Sequence, residues 1–200
     1  MRTRAGERYT IRRKVFRLFG AGFHVHDQAG AVVGYCDQKR FRLREDLRLY
    51  TDETKSEELL RIGTEQVIDF AATYTVSVPP DADHPGGPIG SFRRKGVKSF
   101  IRDEWLVFDG GGRQIGLIRE DSQIKAIIRR VHEFAAMLTP QGYHLLDESG
   151  RELVAYRTHF NPFIHRLGVA IRETGDDSPI DDLLALAAGV LLLAIEGRQD

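Results

Sequence analysis

The stretch LLALAAGVLLLAI, residues 183–195, contains thirteen consecutive residues without a polar side chain. At about 1.5 Å per residue, a helix of this length spans roughly 20 Å, which is short of the about 30 Å hydrocarbon core of a bilayer. Apolar residues occupy every face of such a helix, whereas a surface helix is apolar on one side only. The stretch therefore predicts a helix buried inside the protein, with other elements packed around it.

The flanking residues predict where this helix begins and ends. Ser178 is a favourable N-cap, Pro179 suits the first helical position, and Asp181 follows the cap by three residues, as in a capping box. Gly197 is a typical C-terminal stop. We therefore expect Ser178 to cap the helix and Gly197 to end it.

Composition is that of a soluble globular protein, and we expect a single domain over residues 1–200. Apolar residues make up 42% of the chain and charged residues 29%, with no low-complexity tract to predict disorder. The net charge is zero, so no global field attracts nucleic acid or acidic membranes. A lone cysteine, Cys36, excludes an intramolecular disulfide, and no secretory signal is recognisable. These features predict a cytoplasmic protein.

A hairpin unit recurs three times, with the template aromatic-x-apolar-x-Asp-x-x-Gly-x-x-apolar. The copies begin at Phe23, Trp105 and Tyr143. Their Asp and Gly residues are Asp27 and Gly30, Asp109 and Gly112, and Asp147 and Gly150. Asp bonds to nearby backbone amides and Gly accepts a positive φ, so each copy predicts a tight turn between two strands. Residues 47–62 form a looser fourth copy that lacks the glycine.

Strands dominate the rest of the chain. Further extended segments are expected at residues 9–16, 41–45, 66–78, 89–94 and 163–171. Residues 122–137 are the exception, because their apolar positions recur at helical spacing and predict an amphipathic surface helix. Residues 79–88 predict a long hairpin loop. Many strands followed by one wholly apolar helix favour a mainly β fold, a barrel closed around that helix.

The order of these features resembles one protein family. It includes the opening Tyr9-Thr-Ile-Arg-Arg-Lys14-Val-Phe, the unit Phe23-His-Val-His-Asp27, residues 49–62, the Trp105 and Tyr143 units, and the apolar C-terminal helix. Together they resemble the LURP-one-related proteins, which belong with phospholipid scramblases and the Tubby C-terminal domain. The resemblance covers residues 9–195 and includes no catalytic motif.

That resemblance implies a closed barrel of about twelve strands around a hydrophobic C-terminal helix. Tubby domains bind phosphoinositide headgroups, and scramblases are implicated in moving lipids between leaflets. The resemblance therefore implies a partner among the anionic phospholipids.

Two stretches of the chain are basic. Arg93, Arg94, Lys95 and Lys98 are the candidate ligand contacts, because neighbouring cations can share an anionic headgroup or phosphate. In a strand, Arg93 and Lys95 face one side and Arg94 the other, so a solvated strand edge is the competing interpretation. The other stretch is N-terminal and comprises Arg2, Arg4, Arg8, Arg12, Arg13, Lys14 and Arg17.

Metal, cofactor and catalytic motifs are not recognisable. His24 and His26 lie two apart beside Asp27, but two imidazoles are too few for a structural zinc site. Asp81 and Asp83 lack the terminal Glu of an EF-hand loop. No Gly-x-Ser-x-Gly elbow is present. We therefore expect no metal, no cofactor and no enzymatic activity.

The leading hypothesis is a non-enzymatic binding or scaffold protein, cytoplasmic and peripheral at the membrane. It predicts recognition of an anionic phospholipid or phosphoinositide headgroup, with no transmembrane span and no specific nucleic acid. A scramblase-type lipid-translocating protein is the alternative, and it requires the apolar helix to leave its barrel. A small-molecule-binding protein or an enzyme with an unrecognised site is the second alternative.

Overall fold

The computed structural model describes residues 4–14, 21–38, 47–65, 73–81, 85–95, 104–121, 142–159, 164–173 and 178–196. The amphipathic helix expected over residues 122–137 lies outside these ranges, as does the segment 41–45 and parts of the segments 9–16 and 66–78. Lys98, Gly197 and Asp83 also lie outside them.

Twelve antiparallel strands form a closed barrel, as the sequence predicts. The strands are Tyr9–Lys14 (β1), Ala21–His26 (β2), Val32–Gln38 (β3), Leu47–Tyr50 (β4), Glu58–Glu65 (β5), Thr73–Val78 (β6), Gly87–Arg94 (β7), Glu104–Asp109 (β8), Gln114–Glu120 (β9), Gly142–Leu146 (β10), Glu152–His159 (β11) and Ile164–Ile171 (β12). Each strand pairs with its neighbours in sequence, and β1 closes the barrel against β12. The loop expected over residues 79–88 is shorter than predicted, because β7 begins at Gly87.

All four copies of the hairpin unit are hairpins: β2–β3, β8–β9, β10–β11 and β4–β5. In the first three, Gly30, Gly112 and Gly150 have φ between 79° and 86°, as a left-handed turn position requires. In the fourth, Lys55 takes that position with a φ of 59°, and its amide donates to the Asp52 carbonyl at 3.3 Å. The looser copy therefore shares the Asp-to-third-residue bond, with lysine where the others have glycine, but its loop is longer, since it closes through the Thr51 amide and the Glu57 carbonyl.

The interior of the barrel is filled by the C-terminal helix, Asp182–Glu196. Its side chains from 184 to 194 are buried. The Tyr156 hydroxyl, itself fully buried, donates to the Ala185 carbonyl of the helix at 2.9 Å. A Cβ on Gly90 of the wall would meet Leu184 at 2.7 Å, so this glycine lets helix and wall approach closely. The apolar run is the core around which the sheet closes.

The helix cap differs from the one predicted from the sequence. Asp181, not Ser178, is the N-cap, since its Oδ1 accepts the amide hydrogens of Leu183 and Leu184 at 2.7 and 3.2 Å. The Ser178 hydroxyl instead donates to the Ile180 carbonyl at 2.7 Å, within the turn before the helix. A carboxylate at the positive end of the helix dipole suits that position.

The barrel has two different ends. Because the strands alternate in direction, the turns that join β2 to β3, β4 to β5, β8 to β9 and β10 to β11 all lie at one end, together with the start of the C-terminal helix. We call this the hairpin end. Its turns carry Asp27, Asp52, Glu53, Asp147 and Glu148. The same turns also carry Lys55, Arg113 and Arg151, and the two arginines pair with the Asp of their own turns.

Candidate anion-binding site

The predicted contact residues lie where β7 ends, with Lys98 outside the described residues. Arg93 and Arg94 are the last two residues of β7, and Lys95 continues the pairing because its backbone amide donates a hydrogen bond to the Glu104 carbonyl at 2.9 Å. Arg94 is in register with Trp105, whose side chain is buried in the core. The alternation expected of this stretch is therefore confirmed, so the three cations do not share one face.

Carboxylate and aromatic groups already contact this stretch. The Arg93 guanidinium lies 4.9 Å from the centroid of the Phe108 ring. Lys95 Nζ is 3.3 Å from Glu104 Oε2, and the same carboxylate is 3.0 Å from Arg119 Nε. The positive charge of Lys95 is thus balanced within the described part of the chain.

The two basic stretches do not converge. Around the closed barrel, β1 and β7 are separated by five strands in either direction. Arg12 and Arg13 of β1 therefore lie on the opposite side of the wall from Arg93 and Arg94 of β7, so the described parts of the two stretches do not form one site.

The structure brings a different set of basic side chains together on the outside of β1. Ile11 is fully buried and points inward, so its neighbour Arg12 lies on the outer face. Arg12 is directly opposite Arg166 of β12 on one side and His24 of β2 on the other. Arg166 is in turn opposite His159 of β11. We call these four residues, His159, Arg166, Arg12 and His24, the basic row.

The two arginines of this row are half-buried and have no counter-ion among the described residues. The Nε atoms of both Arg12 and Arg166 are buried without a hydrogen-bond partner. Neither side chain forms an ion pair with a carboxylate of the described ranges. Like charges directly opposite on paired strands repel each other. Burial, followed by the charges of Arg12 and Arg4, lowers the pKa of Arg166 from its usual value. Within the described ranges, the pair is therefore a concentration of positive charge without a paired carboxylate.

A third arginine, Arg4, precedes β1, and its backbone is bonded to Glu7, the carboxylate that contacts His159. Arg4 is exposed and close enough to affect the pKa of Arg166. A turn holds this segment, since the Glu7 amide donates to the Arg4 carbonyl at 3.1 Å and Gly6 has a φ of 84°. Arg12 and Arg166 are in register, and the charge of Arg4 acts on Arg166; we call the three residues the arginine cluster.

Two histidines of β2 flank the cluster. His24 Nε2 donates to Glu53 Oε1 at 2.6 Å. His26 Nδ1 donates to the Gly30 carbonyl at 3.3 Å. Burial, with smaller contributions from Arg12 and His24, lowers the pKa of His26 from its usual 6.5. Within the described ranges, no three His, Cys, Asp or Glu side chains are arranged to hold a metal ion.

Only part of the arginine cluster could be predicted from the sequence. Arg12 and Arg4 belong to the N-terminal basic stretch, but Arg166 is an isolated cation in a late strand. Its proximity to Arg12 follows from the closure of the barrel between β1 and β12, which joins distant parts of the chain. Local sequence patterns do not encode that register.

Comparisons with protein-family models, with curated proteins and with solved structures find no match for this chain.

Proposed function

We propose that the protein is a non-enzymatic binding protein of the LURP-one-related type that recognises the phosphate of an anionic lipid headgroup at its arginine cluster. One observation carries this proposal: Arg12 and Arg166 lie side by side, half-buried and without a counter-ion among the described residues. An anion between the two guanidinium groups would supply the missing acceptors.

Guanidinium chemistry favours a phosphate in that position. Arginine presents a planar fork of donors that matches phosphate oxygens, and such charge-assisted bonds are about twice as strong as neutral ones. A bound phosphate would also offset the repulsion between the paired arginines. Arg4 adds a further cation, so the cluster suits a headgroup that bears more than one negative charge.

The position of the cluster on the outer wall favours binding over translocation. The interior is occupied by the C-terminal helix, which Tyr156 anchors by a buried hydrogen bond. Among the described residues, no helix has the length and apolar character needed to cross a bilayer. A protein that moved lipids with this helix would have to open its own core, whereas a headgroup at the cluster needs no rearrangement.

Vesicle flotation tests the proposal. We expect the wild-type protein to float with phosphatidylcholine vesicles that contain phosphatidylinositol bisphosphate and to remain at the bottom with phosphatidylcholine alone. Arg12→Gln and Arg166→Gln should each weaken binding roughly tenfold or more, because a hydrogen bond to a charged group contributes about 1.5–3 kcal/mol. Calorimetry with a soluble inositol trisphosphate then separates headgroup recognition from a requirement for the lipid surface.

Arg93→Gln is the matched control, since it removes the same charge from the opposite side of the barrel. It should leave binding close to that of the wild type. Equal recovery with both kinds of vesicle would refute lipid recognition. Loss of binding in Arg93→Gln but not in Arg166→Gln would instead place the site at Arg93, Arg94, Lys95 and Lys98, the stretch favoured by the sequence.

A further inference from the structure

The outer face of β12 has a notch beside the arginine cluster. Gly168, two residues along from Arg166, is opposite Thr10 on β1 and Arg157 on β11. A Cβ at Gly168 would overlap the Glu7 carboxylate. The backbone of Gly168 does not take a positive φ, so the glycine is needed here for space rather than for conformation. Its missing side chain makes room for Glu7.

Glu7 is held in the notch by three donors. His159 Nε2 is 2.6 Å from Glu7 Oε1, and both side chains are less than a tenth exposed. The Thr10 hydroxyl donates to Glu7 Oε2 at 3.4 Å, and the Arg4 amide donates to the same oxygen at 3.2 Å. The carboxylate therefore fixes the backbone of the very residue that supplies the third guanidinium.

The other end of this segment is fixed as well. The Arg8 amide donates to the Val169 carbonyl at 2.8 Å, which extends the pairing of β1 with β12. The Arg8 guanidinium is 2.6 Å from the Asp182 carboxylate at the start of the helix. Residues 4–8 thus form a strap that lies across the barrel wall and ends at the arginine cluster.

We infer that the strap is part of the anion site: it supplies Arg4 as a third ligand-binding cation, and Glu7, held over Gly168, is the positioning residue that keeps Arg4 there. This inference rests on the proposed function. Glu7 itself does not contact the anion, and it acts through the backbone of Arg4.

Positioning and simple electrostatics predict opposite changes in anion affinity when the Glu7 side chain is removed. If Glu7 acted only as a negative charge near the site, its removal would strengthen anion binding, and Glu7→Ala and Glu7→Gln would behave alike. If Glu7 positions Arg4, Glu7→Ala weakens binding, whereas Glu7→Gln keeps the acceptor oxygen and binds at least as tightly as the wild type. The conservative variant thus separates the two explanations.

The test is calorimetry with soluble inositol trisphosphate on the full chain. Arg4→Ala should weaken binding roughly two- to fivefold, as expected for one exposed charge contact. Glu7→Ala and Gly168→Ala should weaken it to the same extent, although Gly168→Ala leaves every charge in place. The double variants Glu7→Ala/Arg4→Ala and Gly168→Ala/Arg4→Ala should bind no more weakly than Arg4→Ala alone, because all three changes remove the same contact.

Thermal unfolding of each variant confirms that the binding measurement is made on folded protein. If the wild type binds and Arg166→Gln weakens binding while Arg4→Ala and Gly168→Ala match the wild type, the role of the strap is overturned and the proposed function stands. Stronger binding in Glu7→Ala also overturns it. If the wild type binds neither inositol trisphosphate nor the anionic vesicles, the proposed function itself fails.

Discussion

Lys55 shows how single residues define the turns of this barrel. Its backbone has a φ of 59°, a region that side chains with a Cβ adopt at a cost of about 1–2 kcal/mol. The equivalent positions of the other three hairpins hold Gly30, Gly112 and Gly150. The turn geometry is therefore set by its hydrogen bonds, and glycine satisfies that geometry most easily.

Replacement of Lys55 by glycine should stabilise the protein. We expect Lys55→Gly to raise the free energy of unfolding by about 0.5–1 kcal/mol, since relief of the left-handed strain exceeds the entropy that glycine adds to the unfolded chain. Chemical denaturation measures the change. Gly112→Ala is the matched control and should lose stability: a Cβ there meets no atom within 4 Å, so only the conformation is penalised. No gain in Lys55→Gly would contradict this account of the turn.

Asp147 gives its hairpin a pH dependence. Hydrogen bonds from the Ser149 hydroxyl and from Arg151 hold the pKa of Asp147 at about 2, below its usual 3.8. A carboxylate with a lowered pKa stabilises the fold above pH 3.8, and this contribution is lost as the pH falls toward 2. Asp147→Asn should therefore be less stable than the wild type at neutral pH, and the difference should shrink between pH 4 and pH 2. A difference that is constant across this range would show that the charge plays no part.

At the scale of elements, the C-terminal helix and the wall are fitted to each other by small residues. Gly189 of the helix faces Ile11 and Val169, and a Cβ there would meet Ile11 at 2.9 Å. Gly90 of β7 accommodates Leu184 in the same way. Because the interior is packed this closely around the buried Tyr156 hydrogen bond, a charged side chain introduced there would be buried without a partner.

Leu193 tests whether the helix is the core of the fold. Leu193→Asp should prevent folding, because burial of an unpaired charge costs several kcal/mol against a total stability of about 5–15 kcal/mol. Circular dichroism and size-exclusion chromatography give the result.

Leu183→Asp is the control: this residue is only partly buried and lies in the first turn of the helix, where acidic side chains are favourable. It should fold. A folded Leu193→Asp protein would mean that the helix does not fill the barrel.

The helix and the hairpins could be predicted because the sequence patterns that specify them are local. Thirteen apolar residues predict the buried helix, and the Asp-x-x-Gly units predict the hairpins, because both depend on neighbours in sequence. The N-cap was misplaced because Ser178 and Asp181 are both good caps, and sequence does not say which side chain faces the first helical amides.

At the scale of the whole molecule, closure of the barrel creates the candidate site. The register of β1 against β12 places Arg12 beside Arg166, and no local pattern contains that information. Sequence reasoning favoured Arg93, Arg94 and Lys95 because they are consecutive, but consecutive residues of a strand alternate between faces. Cations contributed by separate strands can share one face, as the arginine cluster does. The site is therefore a property of the fold and not of one segment.

We propose that Arg12 and Arg166 are held together at a cost in stability because the pair binds an anion. Thermal unfolding of Arg166→Gln with and without soluble inositol trisphosphate measures both the cost and the binding, with Arg93→Gln as the charge-matched control. Without ligand, Arg166→Gln should unfold at a higher temperature than the wild type, because a like-charge pair is removed. With ligand, the wild type and Arg93→Gln should gain stability by binding, while Arg166→Gln should gain little. An Arg166→Gln protein that is less stable than the wild type and is still stabilised by the ligand would contradict the claim.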